Sequence, residues 1–228
     1  TYIVNQVTQS GQVEAGGFVP SGVYDADGAD GDDFRTVGGD YYKPTDADYE
    51  ANCDEARQLL ADAGYPNGEG FPVVEYLYNT SDAHKAVAEA LQFMWEEELG
   101  VKVTLNNQEW AAFLQTRKDG DYSIARNGWI ADYNDPISFL DMWMTGGGNN
   151  DAQYANDDYD ALIKQAKTTT DNAERMDLLH QAEDKLIGED SVLAPLYFYT
   201  QKYMLRDGIE GMYYCPLGYF FFGYTHQA

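Results

Sequence analysis

The feature that most constrains this chain is an alternation of strand and helix signals between residues 71 and 126. Phe71 to Tyr78 reads as a strand. Ser81 or Asp82 then caps a helix carrying Val87, Ala90, Leu91, Met94 and Trp95, which Gly100 closes. Val101 to Leu105 alternates apolar and polar residues and is a second strand. Asn107 is placed to cap a short helix, ended by Gly120, on which Trp110, Phe113, Leu114 and Arg117 share one face. Tyr122, Ile124 and Arg126 then alternate on one face of a third strand. Strand, helix, strand, helix, strand predicts an α/β fold with a mixed sheet flanked by helices.

The flanks are read in the same way. Cys53, Ala56, Leu59, Leu60 and Ala63 recur at helical spacing, with Gly64 as the stop and Pro66 just beyond. Pro136 begins a helical run through Phe139, Leu140 and Trp143, followed by a flexible loop, Gly146 to Asn150. Two more helices are predicted near 157–168 and 171–187, the second opening with Asp171 and Glu174 in capping-box spacing. Val192 to Leu205 is strand-like. The tail, with Tyr213, Tyr214, Tyr219, Phe220, Phe221, Phe222 and Tyr224, is aromatic enough that packing is expected. Residues 12–44, rich in Gly, Asp and Pro, form an extended, poorly regular segment. Within it, Asp25 to Asp33 invites a calcium reading, but Ala29 and Thr36 occupy two ligand positions of an EF-hand loop. A solvated acidic turn is favoured, with a loose surface calcium site as the alternative.

The formal net charge of −25 argues against nucleic acid, which needs basic patches, and against electrostatic attachment to anionic lipid. A hydrophobic content of 44% excludes simple disorder. No apolar run is long enough to predict a membrane span. Thr1 to Val7 reads as the middle of a helix, so an excised piece of a longer protein is expected. Two cysteines make no disulfide framework, and Cys53 is expected as a small buried hydrophobe.

The chemistry concentrates between Trp110 and Asp132. An arginine inside an apolar, strand-like run is costly unless something anionic meets it. Arg126 is such a residue, near a strand end, where α/β sheets bind ligands. A structural bridge to a neighbouring carboxylate is the competing reading. Asp132, six residues on, offers the opposite charge, although a turn or helix-capping role competes and Asp135 is a rival for it. Together Arg126 and Asp132 can hold both ends of a zwitterion, with Trp110 and Trp129 as apolar walls; as a pair, tryptophans are more often core. His84 falls in the first turn of its helix, facing either the crevice or solvent. His180 and His226 lack matching metal partners, so no metal site and no cofactor are assigned. No nucleophile triad, phosphate loop or dinucleotide fingerprint is present. The many carboxylates leave a hydrolase as a rival.

Several stretches resemble the oligopeptide-binding proteins of ABC importers, extracytoplasmic solute-binding family 5. These are Glu55 to Tyr65, Tyr78 to Lys85, Leu99 to Val103, Asn107 to Trp110, Thr116-Arg117 and Arg126 to Tyr133. The resemblance implies a two-lobed, periplasmic-binding-protein-like clamshell. It makes this chain the C-terminal lobe, with residues 1–45 as an irregular leading segment, 46–205 as the α/β core and 206–228 as the aromatic tail. It further implies a receptor, not an enzyme, that captures short peptides outside the cytoplasm. The receptor would be periplasmic or lipid-anchored, and would hand its ligand to ABC permease subunits with help from an N-terminal lobe. By resemblance, Asp132 pairs with the peptide ammonium, and Arg126 and His84 meet its C-terminus. Trp110, Arg117 and Trp129 line side-chain pockets and Tyr199 touches the ligand, with Asn149 and Asn150 in a loop near the cleft. Relatives binding oligosaccharides, metal chelates or haem leave a non-peptide ligand as the alternative.

Overall fold

The computed structural model of the chain describes residues 1–42, 45–215 and 217–228, so the last two residues of the predicted irregular segment 12–44 lie outside it. A π-helical turn, Ile3–Thr8, comes first, then a two-residue strand β1 (Val13–Glu14) and a short helix α1 (Phe34–Gly38). Asp33 caps α1 by accepting from the Thr36 amide. α2 (Tyr49–Asp62) buries Cys53 but leaves Leu59 63% exposed, so the predicted apolar face is covered only in part.

The expected alternation follows: β2 (Val74–Asn79), α3 (Asp82–Leu99), β3 (Val103–Gln108), α4 (Trp110–Asp119) and β4 (Ile124–Ala125). The three strands form a parallel sheet in the order β3-β2-β4. β2 is central, and Tyr76 to Asn79 are all buried, as a strand covered on both faces requires. α3 starts where the Ser81 hydroxyl accepts from the His84 amide and stops at Gly100, which takes a left-handed φ of 67°. A Cβ at Gly100 would lie 2.2 Å from the Asn67 carbonyl oxygen, so conformation and space both demand glycine. Val87, Ala88 and Leu91 form the buried stripe of α3; Val87 and Leu91 each contribute about 1.5–3 kcal/mol of transfer free energy.

Two sequence expectations need correction here. Asn107 does not cap α4: it sits in β3 opposite Tyr78, and the cap is Glu109, whose carboxylate accepts from the Ala111 amide. The third strand is also shorter than the alternation suggested. β4 pairs only Ile124 and Ala125, with Tyr76 and Leu77. Arg126 lies just past it, held by its amide donating to the Leu77 carbonyl at 2.8 Å.

The rest is largely helical: α5 (Ile137–Leu140), α6 (Asp157–Ala166, capped by Asn156) and α7 (Asn172–Glu183, capped by Asp171). β5 (Tyr197–Phe198) pairs antiparallel with β1 and is all that the predicted 192–205 strand retains, because its partner offers only two residues. The tail forms β6 (Ile209–Glu210), β7 (Tyr213–Cys215), β8 (Tyr219–Phe221) and β9 (His226–Gln227), paired as β6-β9 and β7-β8. Its rings meet one another, with Tyr214 and Phe220 at 4.9 Å and Tyr203 and Phe220 at 5.4 Å. The packing expected of the tail is thus among its own rings: no tail residue belongs to a buried core cluster among the described residues, and Tyr224 is 87% exposed. The two cysteines are free.

Two apolar cores result. One lies between the sheet and α3, around Tyr76, Tyr78, Val87, Leu91 and Val103. The other gathers Phe34, Leu140, Trp143, Tyr159, Ile163 and Leu179 from α1, α5, α6, α7 and the turn after α5. No helix among the described residues is long and apolar enough to cross a membrane.

Candidate functional site

Parallel strands direct their carboxyl ends to one edge of a sheet, and here that edge presents Gln108, Asn79 and Arg126. The edge opens into a cavity of about 1720 Å³ at the seam between the two cores. Tyr76, His84, Val87 and Leu91 line it from the sheet side; Trp129, Phe139 and Trp143 line it from the helical side. Tyr197 and Tyr199 on and after β5 form a further wall.

Arg126 is half-buried in this wall. Its guanidinium donates to the Tyr199 hydroxyl at 3.1 Å and to Asn79 Oδ1 at 3.5 Å, both neutral. No carboxylate pairs with it among the described residues. His84 lies beside it, with Nδ1 buried and without a hydrogen-bond partner among the described residues. Burial, and then the Arg126 charge, push the imidazole below its ordinary value, while the nearby Asn79 backbone offsets part of that shift. His84 is therefore neutral at pH 7. Burial raises the Tyr76 hydroxyl to about 12, so it too stays neutral.

Arg117 differs from Arg126. It is buried, it forms an ion pair with Asp151 through Nε and Nη2, and Nη1 donates to the Arg126 carbonyl at 3.3 Å. Its charge is already met, and it ties the β4 end to the loop at Asp151 while lining both the large cavity and a smaller recess beside it. Trp129 donates Nε1–H to the Ser138 carbonyl at 2.7 Å, which leaves its apolar face toward the cavity. Trp110 is 49% exposed, stacks on Phe113 at 5.8 Å, and with Trp129 lines a smaller recess of about 380 Å³.

Asp132 is exposed, and its carboxylate has no partner among the described residues; its amide donates to the Ser138 hydroxyl at 3.0 Å. Its neighbours Ala131 and Tyr133 line the large cavity, whereas Asp132 stands outside that lining. The structural turn role weighed for it in the sequence belongs to Asp135, whose carboxylate accepts from the Ile137 amide at the start of α5 and holds Arg175 by two bonds of 2.9 and 2.8 Å. Asn150 lies away from the cavity. It is buried, with Nδ2 donating to the carbonyls of Trp143, Met144 and Tyr154 and Oδ1 accepting from the Tyr154 amide. Its neighbour Asn149 lines the recess instead. The glycine-rich loop is thus anchored at its end, because one asparagine satisfies several of its backbone groups.

Sequence reading missed Asn79, Tyr76 and Tyr197. The only signal for Asn79 was a polar residue ending a buried strand. It also missed that the leading segment is bolted to α7. Glu183, fully buried, takes two bonds from Arg35 at 3.0 and 2.9 Å and accepts the Phe18 and Val19 amides. Asp25, at the start of the acidic run, meets His180 at 2.7 Å. No cluster of metal-ligating side chains occurs among the described residues.

Known proteins share this architecture. The dipeptide-binding protein DppE of Bacillus subtilis is 38% identical over 218 residues, covering 95% of this chain and 38% of DppE. The periplasmic oligopeptide-binding protein OppA of Salmonella typhimurium is 36% identical, covering 92% of this chain and 36% of OppA. Among solved structures, Haemophilus influenzae OppA in complex with RPPGFSPFR superposes with a TM-score of 0.73 at 30% identity, covering 92% of this chain and 39% of that one. The chain therefore spans well under half the length of these relatives, and its mixed α/β fold is one part of a two-lobed periplasmic-binding-protein architecture. The family model described as bacterial extracellular solute-binding proteins, family 5 Middle, matches residues 1–151, and the chain belongs to that family.

Proposed function

We propose that this chain is the C-terminal lobe of a receptor that captures short peptides outside the cytoplasm and delivers them to an ABC permease. The observation that carries the reading is Arg126: a guanidinium in a cavity wall whose side-chain partners among the described residues are an amide oxygen and a hydroxyl. Such a charge is costly to keep and is offset when an anion arrives. A peptide's C-terminal carboxylate supplies that anion, and the unpaired carboxylate of Asp132 suits its ammonium. The peptide-binding names of the relatives support the same ligand class.

The receptor reading implies no bond chemistry. A cavity of about 1720 Å³ exceeds an ordinary small-molecule pocket, and leaves room for water that adapts to different side chains. Trp110 and Trp129 serve as apolar walls, with Arg117 holding the frame and Tyr199 and His84 at the carboxylate end. An N-terminal lobe of the same protein closes the other side of the cleft by a hinge motion, and periplasmic or lipid-anchored placement follows from the role.

The deciding experiment is a tryptophan-fluorescence titration of the complete two-lobed protein with mixed di- to pentapeptides, free or N-acetylated. Saturable binding of the free pool, lost on acetylation, is the expected result. Equal responses would remove the ammonium contact. No response to either pool would replace the peptide with a different ligand in the same fold.

A further inference from the structure

Arg126 and His84 line the same cavity, and both approach Asn79. The Asn79 side chain accepts from Arg126, and its backbone lies near the imidazole. His84 Nδ1 is buried without a well-formed hydrogen bond among the described residues, although the Asn79 backbone comes close enough to favour the protonated ring. An orphaned polar atom beside an arginine without a carboxylate is a pair of unmet demands that one anion can answer.

We propose that a ligand carboxylate bound at Arg126 is captured together with a proton on His84. The inference rests on the peptide reading above and adds a regulation of that same site. In the free protein, two causes hold the imidazole neutral: burial and the Arg126 charge. A carboxylate settling on Arg126 cancels that charge and places a negative one beside the ring. The imidazole then gains a proton from solvent, and the protonated ring donates to the carboxylate or to water bound with it.

The surroundings leave His84 as the group that answers. Tyr76 on β2 has its hydroxyl raised to about 12 by burial, and Tyr197 on β5 is raised further for the same reason, so neither titrates near neutrality. The Tyr199 hydroxyl accepts from Arg126 at 3.1 Å. β3 and the Ile3–Thr8 turn pack on α3 without a titratable side chain. α2 meets α3 at its far end through Arg57 and Glu98. On its own helix His84 is flanked by the exposed Asp82 and Lys85, and Lys85 turns to Glu89.

The sign follows from linkage. A group whose proton affinity rises on binding makes binding tighter as pH falls from the bound-state value toward the free-state value, and indifferent below it. The peptide's own ends do not mimic this between about pH 5.5 and pH 7, because carboxyl and α-amino groups titrate near 3.5 and 8.

The test is isothermal calorimetry on the complete two-lobed protein with trialanine, tetraalanine and pentaalanine, at about pH 6, in two buffers of different ionisation enthalpy. The expected result is uptake of a substantial fraction of a proton per free-acid peptide, on the order of one half, and severalfold tighter binding at the acid end of the window. The C-terminally amidated peptides should take up none. His84→Gln should abolish the uptake, whatever it does to affinity. Equal uptake by acid and amide, binding of the free acids without uptake, or uptake that survives His84→Gln would each overturn the inference while leaving the peptide reading in place. Failure of every peptide to bind would overturn that reading, and the inference with it.

Discussion

The helical core and the sheet edge treat buried charge in opposite ways. Around α7 charge meets charge: buried Arg35 pairs with Glu183 and half-buried Arg175 with Asp135. Beside the sheet Arg117 is closed in the same way on Asp151, but among the described residues Arg126 meets only an amide and a hydroxyl, and the exposed Asp132 carboxylate has no partner. A closed pair resists loss of either partner, because the survivor is stranded in low dielectric. An open charge holds little of the fold together but is ready for a ligand. The contrast assigns stability to one region and recognition to the other.

The largest effect that can break this comparison is on the closed side. Glu183→Gln keeps the shape and strands Arg35, so unfolding in urea should show a loss of about 3–5 kcal/mol. Arg126→Gln strands no carboxylate and should stay within about 1 kcal/mol of the parent protein. Similar losses for the two variants would erase the distinction.

Recognition comes next. In the complete two-lobed protein, Asp132→Asn should weaken free-amine peptides by about 2–5 kcal/mol, the cost of removing one partner of a desolvated charge pair. Titration of the same variant with N-acetylated peptides separates ammonium pairing from a general disturbance. If the free-amine affinity does not change, Asp132 has no part in the ammonium contact, and the open-charge argument then rests on Arg126 alone.

Sequence patterning revealed the sheet edge well and the closing charges poorly. The alternation from β2 to β4 was legible because each helix carries local punctuation: Ser81 and Gly100 around α3, Gly120 after α4. Arg126 and Asp132 were visible as charges in apolar surroundings. That Arg117 and Arg126 differ was not, because Asp151 lies 34 residues beyond Arg117 and nothing local announces the pair. Arg35 and Glu183 are 148 residues apart, and Arg35 was hidden in a stretch whose composition suggested solvated turns. The tail was legible in part. Its aromatic content predicted packing, and that packing is cross-strand, Tyr214 on Phe220, with no tail residue in a core cluster among the described residues.

The smallest effect tests the contrast within two adjacent residues. Asn150 closes the glycine loop on itself through the Trp143, Met144 and Tyr154 backbones, whereas exposed Asn149 faces the recess beside Trp110 and Trp129. Asn150→Ala removes the side-chain partner of the Trp143 and Tyr154 carbonyls and of the Tyr154 amide, while Met144 keeps the Gly147 amide, and should cost about 1–3 kcal/mol in thermal or urea unfolding. Asn149→Ala should change stability by less than about 0.5 kcal/mol, and should alter peptide affinity only where a side chain reaches the recess. A pair of variants that reversed this order would mean that the loop end, not its anchor, carries the fold, and the recess wall would then belong to the closed side of the molecule.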